Sequence, residues 1–238
     1  MQKRIYALIG ILTAVTFSLC GCSQEKEKTV LDLIRESPAA RMELPDGSAV
    51  IVDSEIAALR SFADLKIQTS PMESSDSEAD RLYRIVFNPT EKVQGSDEIT
   101  VSFHQDYVQI NSEYWLPEEG VPYESVLEWA EGKFKHFFES AFPEEGRYAL
   151  DDAEVPYLLV QNGKLAVIGE MAVSYMPSGN MTCKGNEIRM DTEYADQECI
   201  WTFVKEDDGS LIFIAEQSQL PEQWESWEDG MRFVSVKE

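Results

Sequence analysis

Met181-Thr-Cys-Lys-Gly-Asn-Glu-Ile-Arg-Met190, then Cys199-Ile-Trp-Thr-Phe-Val204, Asp207-Asp-Gly209 and Leu211-Ile-Phe-Ile-Ala215, decide the class of the second half of this chain. Short runs rich in aromatic and β-branched residues are broken by Lys-Gly-Asn and Asp-Asp-Gly, residues that accept the left-handed backbone of tight turns. Cys199, Trp201 and Phe203 fall on one face of their strand, and Leu211 and Phe213 on one face of the next. Upstream, Leu158 to Val160, Gln161-Asn162-Gly163 and Leu165 to Ile168 read as a hairpin with an Asn-Gly turn. Val173 to Met176 reads as a strand ending at Pro177-Ser178-Gly179, and Phe233 to Val236 as a closing strand. The pattern predicts a small antiparallel β-meander, barrel- or sandwich-like.

The first half has another texture. Ala49 to Val52 reads as a strand after the turn signal Pro45-Asp46-Gly47. Asp53 is placed to cap a short helix whose face is Ile56, Leu59, Phe62 and Ala63. Leu65 and Ile67 begin a strand, and Ser70 to Asp80 is acidic, Ser-rich and loop-like. Arg81 to Phe87 and Ile99 to Phe103 alternate as strands, followed by Tyr107 to Ile110 and Tyr114-Trp115 around an Asn111-Ser112 turn. Pro122 opens a helix with Val126, Trp129, Ala130, Phe134, Phe137 and Ala141 on one face. The expected class is therefore α+β, with a helix on an antiparallel sheet over 41–142 and the β-meander over 147–238. Pro143-Glu-Glu-Gly146 marks the boundary.

At the other end, Lys3 and Arg4 precede a 13-residue apolar run from Ile5 to Phe17, the layout of a secretory signal peptide. A membrane span needs about 20 apolar residues, so this run is too short for one. Residues 1–21 are read as the signal peptide and 22–40 as a tether that includes a helical turn or two near Val30 to Ile34. Losing 21 of the 238 residues leaves 217, enough for one large domain or two of about 100. It removes two basic residues and no acid, so the net charge moves from −24 to −26. A field of that sign repels nucleic acid and anionic polymers and favours cations and basic partners.

Leu19-Cys20-Gly21-Cys22 resembles a bacterial lipobox. The resemblance implies that Cys22 carries a diacylglycerol, with palmitate-type acyl chains beside it, and begins the mature protein. Gly21 supplies the small residue before the cut, whereas Leu19 before Cys20 does not. Localisation is then the extracytoplasmic face of the cell membrane. Residues 163–215 carry Pro177-Ser-Gly179, Lys184-Gly-Asn186-Glu-Ile188, Trp201-Thr-Phe203 and Asp208-Gly209. They resemble a β-rich module of Gram-positive bacteria, found in small lipoproteins of unknown function. The module also occurs in the extracytoplasmic tails of antirepressor-type, β-lactam-sensor-like membrane metallopeptidases. Residues 41–138 are similar to a domain that accompanies it. The peptidase His-Glu-x-x-His is absent, so the resemblance implies fold and location and carries over no catalytic residue.

The residues themselves offer little chemistry. His104 and His136 lack further ligands at metal spacing. Ser23-Gln-Glu-Lys26 matches Ser-x-x-Lys by chance in the tether. Glu118-Glu119, Glu144-Glu145, Asp151-Asp152 and Asp207-Asp208 are turn neighbours, whereas acid–base pairs must face each other across a cleft. No cofactor motif stands out. Tyr114, Trp115, Trp224 and Trp227 are the candidate ligand-binding residues, as aromatic anchors for peptide or glycan. The favoured alternative for Trp224 and Trp227 is that they fold back to plug the barrel. Cys183 and Cys199 are expected as buried free thiols, since a plain meander holds them more than ~10 Å apart.

The functional expectation is a non-enzymatic binding or sensing module, held on the membrane by an N-terminal lipid, with an unknown protein or peptide partner. A cell-envelope hydrolase using carboxylates and a structural partner in an envelope complex are the alternatives.

Overall fold

The computed structural model describes residues 28–70, 80–90, 96–150, 155–169, 176–194, 196–224 and 227–236. The expected signal peptide over 1–21, Cys22, the core of the acidic stretch, Asp151-Asp152 and most of the strand expected from Val173 lie outside the described residues.

The folded part begins before residue 41. Thr29 and Asp32 form a capping box at the start of α1 (Val30–Glu36), each side chain satisfying the other's backbone N–H. Leu33 and Ile34 are buried, so this end of the expected tether belongs to the core. The next helix also departs from expectation. Asp53 does not cap it, because its Oδ1 accepts from Ser54 N at 2.7 Å. Ile56 holds the N-cap position of α2 (Ala57–Arg60), which tightens into a 3₁₀ turn over Ser61–Asp64. The expected apolar face survives the shift, with Ile56, Leu59, Phe62 and Ala63 all buried.

Seven strands form an open antiparallel sheet. They are β1 (Ala39–Glu43), β2 (Ala49–Val52), β3 (Ile67–Ser70), β4 (Tyr83–Asn88), β5 (Ile99–Phe103), β6 (Val108–Ile110) and β7 (Glu113–Pro117). Their order is β2-β1-β4-β5-β6-β7-β3. The 18-residue α3 (Glu124–Ala141) lays Val126, Ala130, Phe134, Phe137 and Ala141 into the core. Phe134 meets Tyr83 with ring centroids 4.6 Å apart, and Trp129 stacks on Phe103 at 6.1 Å while its Nε1 donates to Ser61 Oγ. Each large apolar side chain buried this way stabilises by about 1.5–3 kcal/mol.

The remaining strands close on themselves. They are β8 (Gly146–Leu150), β9 (Tyr157–Gln161), β10 (Lys164–Ile168), β11 (Ser178–Lys184), β12 (Glu187–Tyr194), β13 (Gln197–Lys205), β14 (Leu211–Phe213) and β15 (Arg232–Val236). Neighbours pair antiparallel around an eight-stranded barrel that β10–β11 closes. The sequence pattern missed β8, which pairs with both β9 and β15. With 15 strands and a single helix longer than seven residues among the described residues, the chain is mostly β rather than evenly α+β.

Barrel and open sheet meet at β11. The β9–β10 hairpin ends at Asn162-Gly163, where both residues take positive φ as an Asn-Gly turn requires. β11 is longer and overshoots that turn. Its first residues pair with β10, and Thr182, Cys183 and Lys184 pair in parallel with Ala49, Val50 and Ile51 of β2. The two hairpin ends therefore abut. Ser48 Oγ donates to Gly163 O at 3.0 Å, and Asn180 Nδ2 donates to Asp46 O. A Cβ on Gly163 would lie 2.6 Å from Ser48 Oγ, so the approach needs glycine.

One row of side chains crosses this seam without a break. Register partners run Phe213, Phe203, Ile188, Cys183, Val50, Met42, Ile85, Val101 and Ile110, over nine strands. None is more than 3% exposed. Barrel interior and sheet core are thus one hydrophobic body.

Candidate functional site

The four candidate aromatic residues are not brought together. Tyr114 and Trp115 lie on β7 of the open sheet, and Trp224 and Trp227 pack on the barrel. Trp115 is buried, while Tyr114 is half-buried with its ring 5.4 Å from that of Tyr107. Trp224 and Trp227 are buried at 2% and 8% exposure. Both meet Trp201 edge to face, at 5.2 and 5.0 Å, and Trp227 stacks on Phe233 at 5.1 Å. Gly169 makes room for the indole, since a Cβ there would lie 2.4 Å from Trp224 Cη2. The three indoles are therefore packed in the core, and Trp224 and Trp227 fold back onto the barrel as the favoured alternative has it.

The histidines take different roles. His104 is buried and stacks on Tyr107 at 4.4 Å. The Tyr123 hydroxyl reaches the carbonyls of His104 and Tyr107 at 2.9 and 2.6 Å, and burial pushes its pKa well up. His136 is exposed on α3, with Nε2 3.4 Å from Glu55 Oε2. Among the described residues, no three His, Cys, Asp or Glu side chains gather as a metal site. Of the carboxylate pairs, Asp208 organises its own turn. Its Oδ1 accepts from Ser210 N and Oγ, which holds its pKa down, and Arg232 pairs with its other oxygen. Glu145 Oε1 accepts from Asn162 N at 2.8 Å.

The thiols follow the expected register. Cys183 lies opposite Ile188, and Cys199 lies opposite Thr192, four positions along β12. That is roughly 13 Å along the strand, beyond disulfide reach, and both are free and buried. Burial pushes the Cys183 thiol up to about 12, against a smaller opposing effect of the Lys205 charge. Burial also raises Cys199.

The concave feature with mixed chemistry lies at the seam. A recess of about 110 Å³ opens between the end of β2, the Asp53-Ser54-Glu55 turn, the last turn of α3 and Gly185. Val50, Val52, Phe137 and Ala141 make its apolar wall, and Asp53, Ser54, Glu55 and Ser140 its polar one. Two lysines and a histidine clasp its surroundings. Lys184 pairs with Asp53 at 3.5 Å, and His136 approaches Glu55. Lys205 reaches from β13 to donate to Ser140 O at 2.5 Å and Phe142 O at 3.1 Å. That ammonium satisfies carbonyls at the negative end of the α3 dipole. Its own pKa is lowered by burial. Sequence reading missed the recess because its residues come from three separated segments.

A second hollow, bounded by Asp191, Thr192, Glu193, Asp196 and Glu198, is broader, at about 520 Å³, and mostly acidic. Arg189 already pairs with Asp191 at 2.7 Å. Among the described residues, no helix is long and apolar enough to cross a membrane. Comparison with family models, with curated proteins and with solved structures finds no match.

Proposed function

We propose that this chain is a non-enzymatic binding module, held by a lipid on Cys22 at the extracytoplasmic face of the membrane, with open sheet and barrel as its two domains. The recess at their seam takes the ligand. One observation carries this, an apolar-walled hollow edged by Asp53 and Glu55 on a chain of net charge −24. An aliphatic ammonium, such as a lysine side chain or small amine, matches it. Methylenes lie on Val50, Val52 and Phe137, and the charge competes with Lys184 and His136 for the two carboxylates. The binding-module reading sits better here than hydrolysis, since Asp53 and Glu55 are exposed and already engaged by Lys184 and His136.

Titrating N-acetyl-lysine methylamide against the full chain, while following the methyl resonances of Val50 and Val52, tests the recess. Saturable shifts are expected, absent with the norleucine analogue and weakened about tenfold or more in Asp53→Asn/Glu55→Gln. Equal response to both analogues would sink the assignment. Anchoring is tested separately by intact mass, where a diacylglycerol adduct starting at Cys22 is expected and is lost in Cys22→Ala.

A further inference from the structure

The seam recess already carries an ammonium of the chain's own. Lys184 ends β11 and stands in register with Ile51 of β2, so both side chains leave the same face of the parallel pair. Asp53 follows two residues after Ile51, in the turn that leads to α2. Its Oδ1 accepts from Ser54 N at 2.7 Å, and its Oδ2 lies 3.5 Å from Lys184 Nζ. One oxygen of the carboxylate is thus held by its own turn and the other by Lys184. A second cation beside the first would be repelled. A ligand ammonium that pairs with Asp53 therefore takes the place of the Lys184 ammonium.

The contact is built for exchange. Both side chains are more than half exposed, at 57% and 53%. An exposed ion pair of this kind favours the paired state by no more than about fivefold. The recess lining takes Gly185 from this turn and not Lys184, so the ammonium covers the charge while Val50, Val52 and Phe137 stay open to the hollow. A Cβ on Gly185 would meet nothing within 4 Å, which leaves space over the turn for the lysine to swing aside. The turn itself is held without the ion pair. Cys183 pairs with Val50, and Asn186 O accepts from Lys205 N at 2.8 Å. Lys205 differs in kind, since its ammonium is fixed on Ser140 O and Phe142 O.

We infer that Lys184 is a tethered stand-in for the ligand, an autoinhibitory contact that a free aliphatic ammonium displaces from Asp53. The contact regulates the site described above, and so rests on the recess taking such an ammonium. Lys184 offers Asp53 the same charge on the same kind of methylene stem, at the effective concentration of a short tether, on the order of millimolar. It yields the carboxylate to a competitor that gains something further, and the apolar wall supplies that gain. Ammonium itself, with no methylenes, exchanges like for like and stays out. Displacement swaps one ion pair for another, so salt affects it little. Without Lys184 the ligand forms a new pair, which salt screens.

Titration of N-acetyl-lysine methylamide into the full chain, Lys184→Gln and Lys184→Arg tests this. The Val50 and Val52 methyls report the recess, and the Lys184 ε-methylene reports the stand-in. In the wild type the Lys184 signal should move in step with the methyls. Lys184→Gln should bind about two- to fivefold more tightly than the wild type at about 20 mM salt, and the gain should vanish near 1 M. Lys184→Arg, which keeps the charge, should bind no more tightly than the wild type. Thermal melting checks that both variants are folded. Equal affinity of wild type and Lys184→Gln at low salt, or methyl shifts with an unmoved Lys184 signal, overturns the autoinhibitory contact and leaves the recess as an amine site. Saturable shifts in Lys184→Gln alone support both. No saturable shift in either chain sinks the recess, and the stand-in with it.

Discussion

The open sheet and the barrel solve the same burial problem in different ways. The barrel curls until β10 meets β11, so its inward faces cover one another. The sheet stays flat enough to need α1, α2 and α3 on its core face. It also leaves β2 with an edge that only β11 fills. The difference teaches an asymmetry. Removing the sheet costs the barrel three parallel register pairs, the Lys205 clasp and the hairpin contact at Gly163. Removing the barrel strips the sheet of its edge partner and exposes the Val50 end of the shared apolar row. The sheet depends on the barrel more than the barrel depends on the sheet.

Substitutions in the two cores should reveal that asymmetry most strongly. Trp201→Ala empties the centre of the aromatic cluster and is expected to cost about 3–5 kcal/mol. Phe62→Ala, which removes the ring against Phe103 and Trp129, should cost a similar amount. Hydrogen exchange distinguishes them. Trp201→Ala should speed exchange in both regions, and Phe62→Ala in β1–β7 and the helices, with β12 and β13 still protected.

Alkali offers a second lever at the seam. Cys183 has its pKa raised to about 12 in the folded state, from 9.0. Its contribution is fully present below pH 9 and is lost as pH rises toward 12, because the unfolded chain gives up that proton first. At 1.36 kcal/mol per unit the loss is at most about 4 kcal/mol. Urea melts of the wild type and Cys183→Ala between pH 8 and 11 should converge as pH rises.

Much of this architecture was legible. Strands over 49–52, 99–103, 181–183 and 199–204 announce themselves by alternation and by Gly or Asn turns, and the α3 face by its 3.6-residue period. β8 was not legible. Gly146-Arg-Tyr-Ala-Leu offers just Tyr148 and Leu150 inward, directly after a Pro-Glu-Glu sequence that imitates a linker. The β2–β11 pairing was hidden because three parallel pairs across 130 residues leave no local signature. The seam recess had no signal for the same reason.

Smaller effects sharpen the description of the seam. Lys205→Met leaves the Ser140 and Phe142 carbonyls without their ammonium, for about 1–3 kcal/mol. Exchange should quicken in the last turn of α3 and not in β14 or β15. Gly163→Ala meets Ser48 Oγ at 2.6 Å with φ at +72°, for about 1–2 kcal/mol. Thermal melting should show that loss, and Ser48→Gly in the same chain should return part of it.

The asymmetry itself is tested most directly by the amide ¹H–¹⁵N spectrum of residues 144–238 expressed alone. The fragment begins at Glu144 because its carbonyl accepts the Tyr148 hydroxyl at 2.8 Å, ahead of β8. A dispersed spectrum, with β8 and β15 amides protected and their shifts matching the full chain, is the predicted result. A collapsed spectrum would show that the barrel cannot close without the sheet, and would contradict the account.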